Sequence, residues 1–185
     1  MRWDAMFADL EAQAEALELA ERAGEIDERV RAELGALTLR DRLGAAAGTP
    51  LRLRTAGAGV VAGMLSRLGP DWMLLDQDDG REVLVRLGAI TAIGGVGRTS
   101  APPDSMDVVT ARLGLWFVLR RMARDRAAVS VQLADGSSLH ATVDRVGADF
   151  VEVAVHGPGE LRRARSVREE LLIPMAALVA VRREL

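Results

Sequence analysis

Two stretches of this chain carry one pattern twice. Leu51–Leu75 lies over Val129–Val153 without a gap, at an offset of 78. Leu51/Val129, Leu53/Val131, Val61/Leu139, Leu65/Val143, Leu68/Val146 and Leu75/Val153 match as aliphatics. Arg67/Arg145, Gly69/Gly147 and Asp71/Asp149 are identical, and Trp72/Phe150 keeps an aromatic. Only four of the 25 positions are identical, so the argument rests on the agreement of alternation and turn residues. Further on, Val83–Ile93 matches Leu171–Val181 at an offset of 88. The second copy therefore holds ten extra residues, within His156–Glu170.

Each copy reads as short strands. Leu51, Leu53 and Thr55 alternate with Arg52 and Arg54, the period of a half-buried strand. Turn signals follow at Gly57–Gly59, Gly69-Pro70-Asp71, Asp78-Asp79-Gly80 and Gly94-Gly95, a spacing that favours a small barrel or sandwich. Ser100–Ser105, with its paired prolines, is a linker by composition. From Met106 to Arg126 the pattern is helical, with Leu113, Trp116, Phe117 and Met122 toward one side. Arg120, Arg121, Arg124 and Arg126 crowd its C-terminal end, where cations complement the helix dipole. A helix thus precedes each copy, ending near Leu43 and near Arg126.

Ahead of the first copy, Trp3, Phe7, Leu10, Ala14 and Leu17 recur at spacings of four and three. This is a helical seam of heptad-like period on a stretch rich in Glu. The pattern predicts a long helix, with Gly24 or Gly35 as the places where it would break. A narrow apolar stripe on a polar helix needs a partner, so Trp3, Phe7, Leu10 and Leu17 are candidate partner-binding residues. The expected fold is mainly β with helices (α+β): a long N-terminal helix over residues 1–35, then two units of a helix plus a five-stranded small barrel. The units span residues 36–98 and 106–185, joined by a linker at 99–105.

Composition narrows the function. Residues 1–35 hold ten acids and four Arg, a net of −6, which leaves the rest of the chain near +3. Neither value marks a strong nucleic-acid binder by itself. Every basic residue is Arg, and Arg forks bind carboxylates and phosphates bidentately. There is no cysteine, which excludes disulfides, thiolate metal sites and a Cys nucleophile. The most apolar run, Leu113–Leu119, falls far short of the roughly 20 residues needed to span a bilayer. No signal peptide precedes the acidic helix, so a cytoplasmic location and no membrane partner are expected.

The second copy runs Val129–Gly136, a first strand closing on an Asp-Gly turn, then Leu139–Val146, Gly147-Ala148-Asp149-Phe150-Val151, Leu172-Ile173-Pro174 and Leu178–Val181. In shape and order this resembles the two signature segments of Sm-like small barrels, relatives of SH3-like barrels. The resemblance implies a helix followed by a strongly bent five-stranded barrel of about 50 residues per copy. Sm-like proteins that read RNA carry an Asn after the third-strand Asp and an Arg-Gly or Lys-His segment between strands four and five. Here those places read Asp149-Phe150-Val151-Glu152 and Ile173-Pro174-Met175, so the likeness bears on fold rather than on uridine recognition. The whole chain is also similar to uncharacterised proteins of high-GC actinobacteria, which implies a bacterial protein.

Catalytic motifs are weak. Gly57-Ala58-Gly59-Val60-Val61-Ala62 fits the Ala-ending dinucleotide fingerprint, but its strand alternates with Arg and the aligned copy reads Asp135-Gly136-Ser137. Asp76–Gly80 has its glycine one place early for a calcium loop and Leu87 where a bidentate Glu would stand. His140 and His156 read as surface residues, His140 sharing an outward face with Thr142 and Asp144. No metal, cofactor or catalytic residue is expected. The insertion places Arg162, Arg163, Arg165 and Arg168 on a loop, with no aromatic interleaved for base stacking. With Arg120, Arg121 and Arg124 they are the candidate phosphate-binding residues. The sequence therefore points to a non-catalytic binding or assembly protein. One reading is an RNA- or nucleic-acid-associated regulator using the Arg loop. The alternative is a protein–protein adaptor or self-assembling oligomeric scaffold using the N-terminal helix and open barrel edges.

Overall fold

A computed structural model describes residues 2–57, 59–100, 113–158 and 167–183. The chain divides into two compact units, Met1–Thr38 and Leu39–Leu185. The first consists of a single long helix, α1 (Arg2–Ala36), which runs unbroken through Gly24. Pairs one turn apart decorate it: Gln13 donates to Asp9 at 2.9 Å and Arg22 meets Glu18 at 3.1 Å.

The second unit is α+β, built on an antiparallel sheet of ten strands. A short helix α2 (Leu39–Gly44) precedes β1 (Pro50–Thr55), β2 (Gly59–Leu68), β3 (Trp72–Asp76), β4 (Glu82–Arg86) and β5 (Ile90–Gly94). Helix α3 (Leu115–Asp125) precedes β6 (Ala128–Leu133), β7 (Ser138–Val146), β8 (Phe150–Val155), β9 (Glu169–Pro174) and β10 (Leu178–Arg183). The strand order is β5-β1-β2-β3-β4-β10-β6-β7-β8-β9. Each half thus has the order fifth-first-second-third-fourth, and the halves join where β4 pairs with β10. No strand lies beyond β5 or β9 among the described residues.

The halves agree down to their irregularities. A bulge interrupts β2 between Leu65 and Arg67, and β7 between Val143 and Arg145, 78 residues on. Gly69 donates its N–H to Trp72 O at 2.8 Å, and Gly147 to Phe150 O at 2.9 Å. Leu87 N–H reaches Asp71 O at 2.9 Å, and Met175 N–H reaches Asp149 O at 2.7 Å. The ring three residues on lies against each glycine's α-carbon. A Cβ at Gly69 would stand 2.2 Å from Trp72 Nε1, and one at Gly147 would stand 2.4 Å from Phe150 Cε1. That is the physical reason for the shared Gly-x-Asp-aromatic turn.

Two apolar cores fill the unit. Leu43 of α2 packs with Leu51, Leu53, Val61, Leu65 and Met73 in the first. Leu115 and Leu119 of α3 pack with Val129, Val131, Val143 and Val153 in the second. The cores interlock at the junction. Val83 and Val85 of β4 face the first core, while Leu84, on the opposite face of the pleat, belongs with Trp72 to the second. Val179 and Ala180 of β10 return to the first core. The Arg86 guanidinium bridges the join, donating to Leu178 O and Ala176 O, both at 2.7 Å. Trp72 Nε1–H donates to Leu113 O at 2.7 Å, and Asp71 Oδ1 accepts from Leu115 N–H at 2.8 Å. The first half therefore holds the start of the second half's helix.

Substituting Gly69→Ala or Gly147→Ala forces a methyl into the adjacent ring and is expected to destabilise by about 1–3 kcal/mol in urea unfolding. Gly24→Ala meets open space inside α1 and should instead favour the helix by about 1 kcal/mol, read as increased helicity by circular dichroism.

Candidate functional site

Of the Arg residues expected to bind phosphate, those the structure describes divide between α3 and the lead-in to β9. Arg162, Arg163 and Arg165 lie outside the described residues. Arg168 leads into β9, its N–H donating to Val155 O at 2.9 Å, whereas α3 packs on β7, two strands away in the sheet order. Arg121 turns to Asp125 at 3.7 Å. Arg120 and Arg124, one turn apart, share a face of α3 and line a shallow groove with Trp116, Phe117, Asp144 and Arg145.

That groove holds what sequence reasoning missed. The buried seam of α3 is Leu115 and Leu119, with Val118 and Met122 partly buried, rather than Trp116 and Phe117. Trp116 is 42 % exposed and Phe117 38 %, their rings edge to face at 6.0 Å. The Arg120 guanidinium carbon sits 4.7 Å from the Trp116 ring centroid, a cation–π contact. Arg145 pairs with Glu152 at 3.6 Å, an exposed contact that contributes little by itself. Aromatic faces do therefore stand beside the Arg cluster, placed there by α3 itself. The signal available was the 115/119/122 spacing, which identifies the buried face and leaves 116 and 117 outward.

His156 and the face expected for Thr142 also differ from expectation. His156 is 2 % exposed and Thr142 only 1 %, so neither lies on an outward face. His156 Nδ1 lies 3.0 Å from Gly157 O, which can only accept, so Nδ1 donates and Nε2 receives the Thr142 hydroxyl at 3.1 Å. A hydroxyl next to an imidazole is the beginning of a nucleophile–base pair. Here both groups are buried, and a backbone carbonyl stands where an orienting carboxylate would be. The pair instead fixes the first residue of the long β8–β9 connection, with His156 N–H also donating to His140 O at 2.9 Å. No group of His and acidic side chains suited to a metal ion occurs among the described residues.

Elsewhere, Asp135 accepts from the Ser137 hydroxyl at 2.6 Å and the Ser137 N–H at 2.9 Å, closing the β6–β7 turn. Those bonds, the hydroxyl first, hold its carboxyl below the usual range. On α1, Trp3, Phe7, Leu10 and Leu17 are each more than half exposed, and so is Leu19. No helix among the described residues is long and apolar enough to cross a membrane.

The remaining candidate surfaces are the two ends of the sheet. A groove beside β5 is lined by Arg52, Arg54, Val60, Ala92, Ile93 and Gly94. One beside β9 is lined by Asp144, Glu152, Val153, Glu170, Leu171 and Leu172. The charged residues lining the groove beside β5 are basic, and those lining the groove beside β9 are acidic. Compared with known proteins, the chain matches no family model, no curated protein and no solved structure.

Removing the ring in His156→Ala should cost about 2–4 kcal/mol through the cavity and the orphaned Thr142 hydroxyl. Thr142→Val should cost about 1 kcal/mol, and the double variant less than the sum of the two, measured as a thermal-unfolding double-mutant cycle.

Proposed function

We propose that this protein is a non-catalytic assembly scaffold, built from two tandem small barrels of Sm-like type, that binds other proteins by adding strands at its sheet edges. The observation that carries this reading is the β4–β10 junction, where an edge of one half already serves as docking surface for the other. The fifth-first-second-third-fourth order of each half supports the small-barrel assignment, as does the helix before each first strand. An exposed strand edge presents unpaired N–H and C=O groups, and a strand partner satisfies them while side-chain contacts set specificity. The apolar positions of α1 offer a second contact of the same kind.

The test is strand addition. A peptide carrying residues 177–183, the strand that β4 accepts within the chain, is added to the full-length protein and hydrogen exchange is followed. Slowed exchange at residues 171–173 is expected; unchanged exchange at both sheet ends would exclude this reading.

A second reading has its own observation. Trp116, Phe117, Arg120, Arg124 and Arg145 combine aromatic faces with cations in one groove, the pairing used to hold single-stranded nucleic acid. On that reading the protein is an RNA-associated regulator, with this groove as its binding face. Single-stranded RNA should then bind at low salt and weaken steeply as salt rises, and Trp116→Ala should lower affinity by about tenfold or more. Fluorescence anisotropy across a salt series decides it, and absence of binding at low salt removes this reading.

A further inference from the structure

We infer that the partner of each free sheet edge is a second copy of this chain, joined head to tail, with β9 of one copy pairing antiparallel with β5 of the next. This rests on the strand-addition reading above and names its partner.

The internal junction supplies the template. There Ala180 pairs with Val85, Val181 with Leu84 and Arg182 with Val83. Moving 88 residues back or forward along the repeat, the same join between copies pairs Ala92 with Ile173, Ile93 with Leu172 and Gly94 with Leu171. The outer strands carry side chains suited to such a join. Leu84 is 2 % exposed where β10 covers it, whereas its counterpart Leu172 is 60 % exposed. Val179 and Ala180 are buried at the junction, and their counterparts Thr91 and Ala92 are exposed. An apolar residue such as Leu172 on an open, flat strand is what monomeric proteins avoid.

Backbone parity agrees. Phe150 O accepts from Gly147 N–H and so faces β7, which makes 150–174 and 152–172 the pairs that do not exchange hydrogen bonds across β8–β9. The N–H and C=O of Leu172 are thereby directed outward. Pro174, at the same parity, lacks only an outward N–H.

Charge selects the orientation. The β9 side carries Asp144, Glu152 and Glu170, and the β5 side carries Arg52 and Arg54. At the internal junction the counterparts of Asp144 and Glu152 are Ser66 and Leu74, and those of Arg52 and Arg54 are Ser130 and Gln132. The charges of Asp144, Glu152, Arg52 and Arg54 are thus absent from the matching places of the internal junction, whereas Glu170 keeps an acidic counterpart there in Glu82. Alternation puts Glu152 and Arg52 on opposite faces of the extended sheet, so they act as an acidic edge meeting a basic edge rather than as one ion pair. Arg145 offsets Glu152 on the β9 side, so the remaining charges weight the balance toward the heterologous contact over a two-fold dimer through β5 or through β9. Such a contact continues until the copies close a ring, or runs on as a filament.

The experiment uses the full chain and two edge variants, with mass measured by light scattering over a concentration series. Leu172→Pro removes the outward N–H of β9 and leaves β5 intact. The double substitution R52E/R54E makes the β5 side acidic and leaves β9 intact, and both arginines are exposed. Circular dichroism and the urea midpoint establish that both variants fold. The wild-type chain is expected to form species of more than one chain, and each variant alone to show the mass of one. An equimolar mixture of the variants is expected to stop at two chains, because only one productive edge pair remains, and to dissociate at high salt.

A wild-type mass of one chain at every concentration overturns the inference. So does association that survives in folded Leu172→Pro, which would assign self-assembly to another surface such as α1. Neither outcome touches the peptide test, so a scaffold that takes foreign strands would still be recognised as one.

Discussion

The β4–β10 pairing is the constraint on which the second unit depends. A strand in the middle of a sheet can bury both faces, and β4 does so with different partners: Val83 and Val85 on one side, Leu84 on the other. Neither half completes its core alone. The first borrows Val179 and Ala180, and the second borrows Trp72 and Leu84. Small β units with few aromatic residues have little apolar area of their own, so sharing side chains across a common sheet raises the area removed from water. The same exchange explains why the chain clusters as one β unit rather than two.

The junction also organises what lies around it. Asp71 and Trp72 bind the start of α3, so the first half positions the helix whose outer face carries Trp116, Phe117, Arg120 and Arg124. Their counterparts Asp149 and Phe150 keep the turn geometry, with Phe150 lying on Gly147. A head-to-tail join of two such units leaves one fifth strand and one fourth strand with no neighbour on the outer side among the described residues. Every later divergence then acts on edges with different roles. Ser66 in the first half is matched by Asp144 in the second, and Gln132 in the second half by Arg54 in the first.

Much of the architecture was legible because it depends on local periodicity. The repeat offset of 78 located β1–β3 and β6–β8, and the change to 88 located the long β8–β9 connection at residues 156–168. The sites were less legible. His156 follows a strand and opens a Gly-Pro-Gly loop, which locally reads as surface, yet Thr142 on the neighbouring strand supplies a buried partner. Trp116 and Phe117 are large and apolar, and hydrophobicity alone places them inside. Leu115 and Leu119 fill that space first, leaving the rings beside Arg120.

The sequence by itself determined the repeated unit, its α+β content, and its turns, because alternation, glycine and turn chemistry act over a few neighbouring residues. Only the tertiary structure decided that the two units share one sheet, since Leu84 and Leu172 are the same residue in the same local pattern. One is covered by β10 and the other has no strand beyond it among the described residues. Strand pairing between segments 95 to 99 residues apart is a non-local choice. It is settled by which edges meet and which side chains they bury together, and no local pattern encodes that.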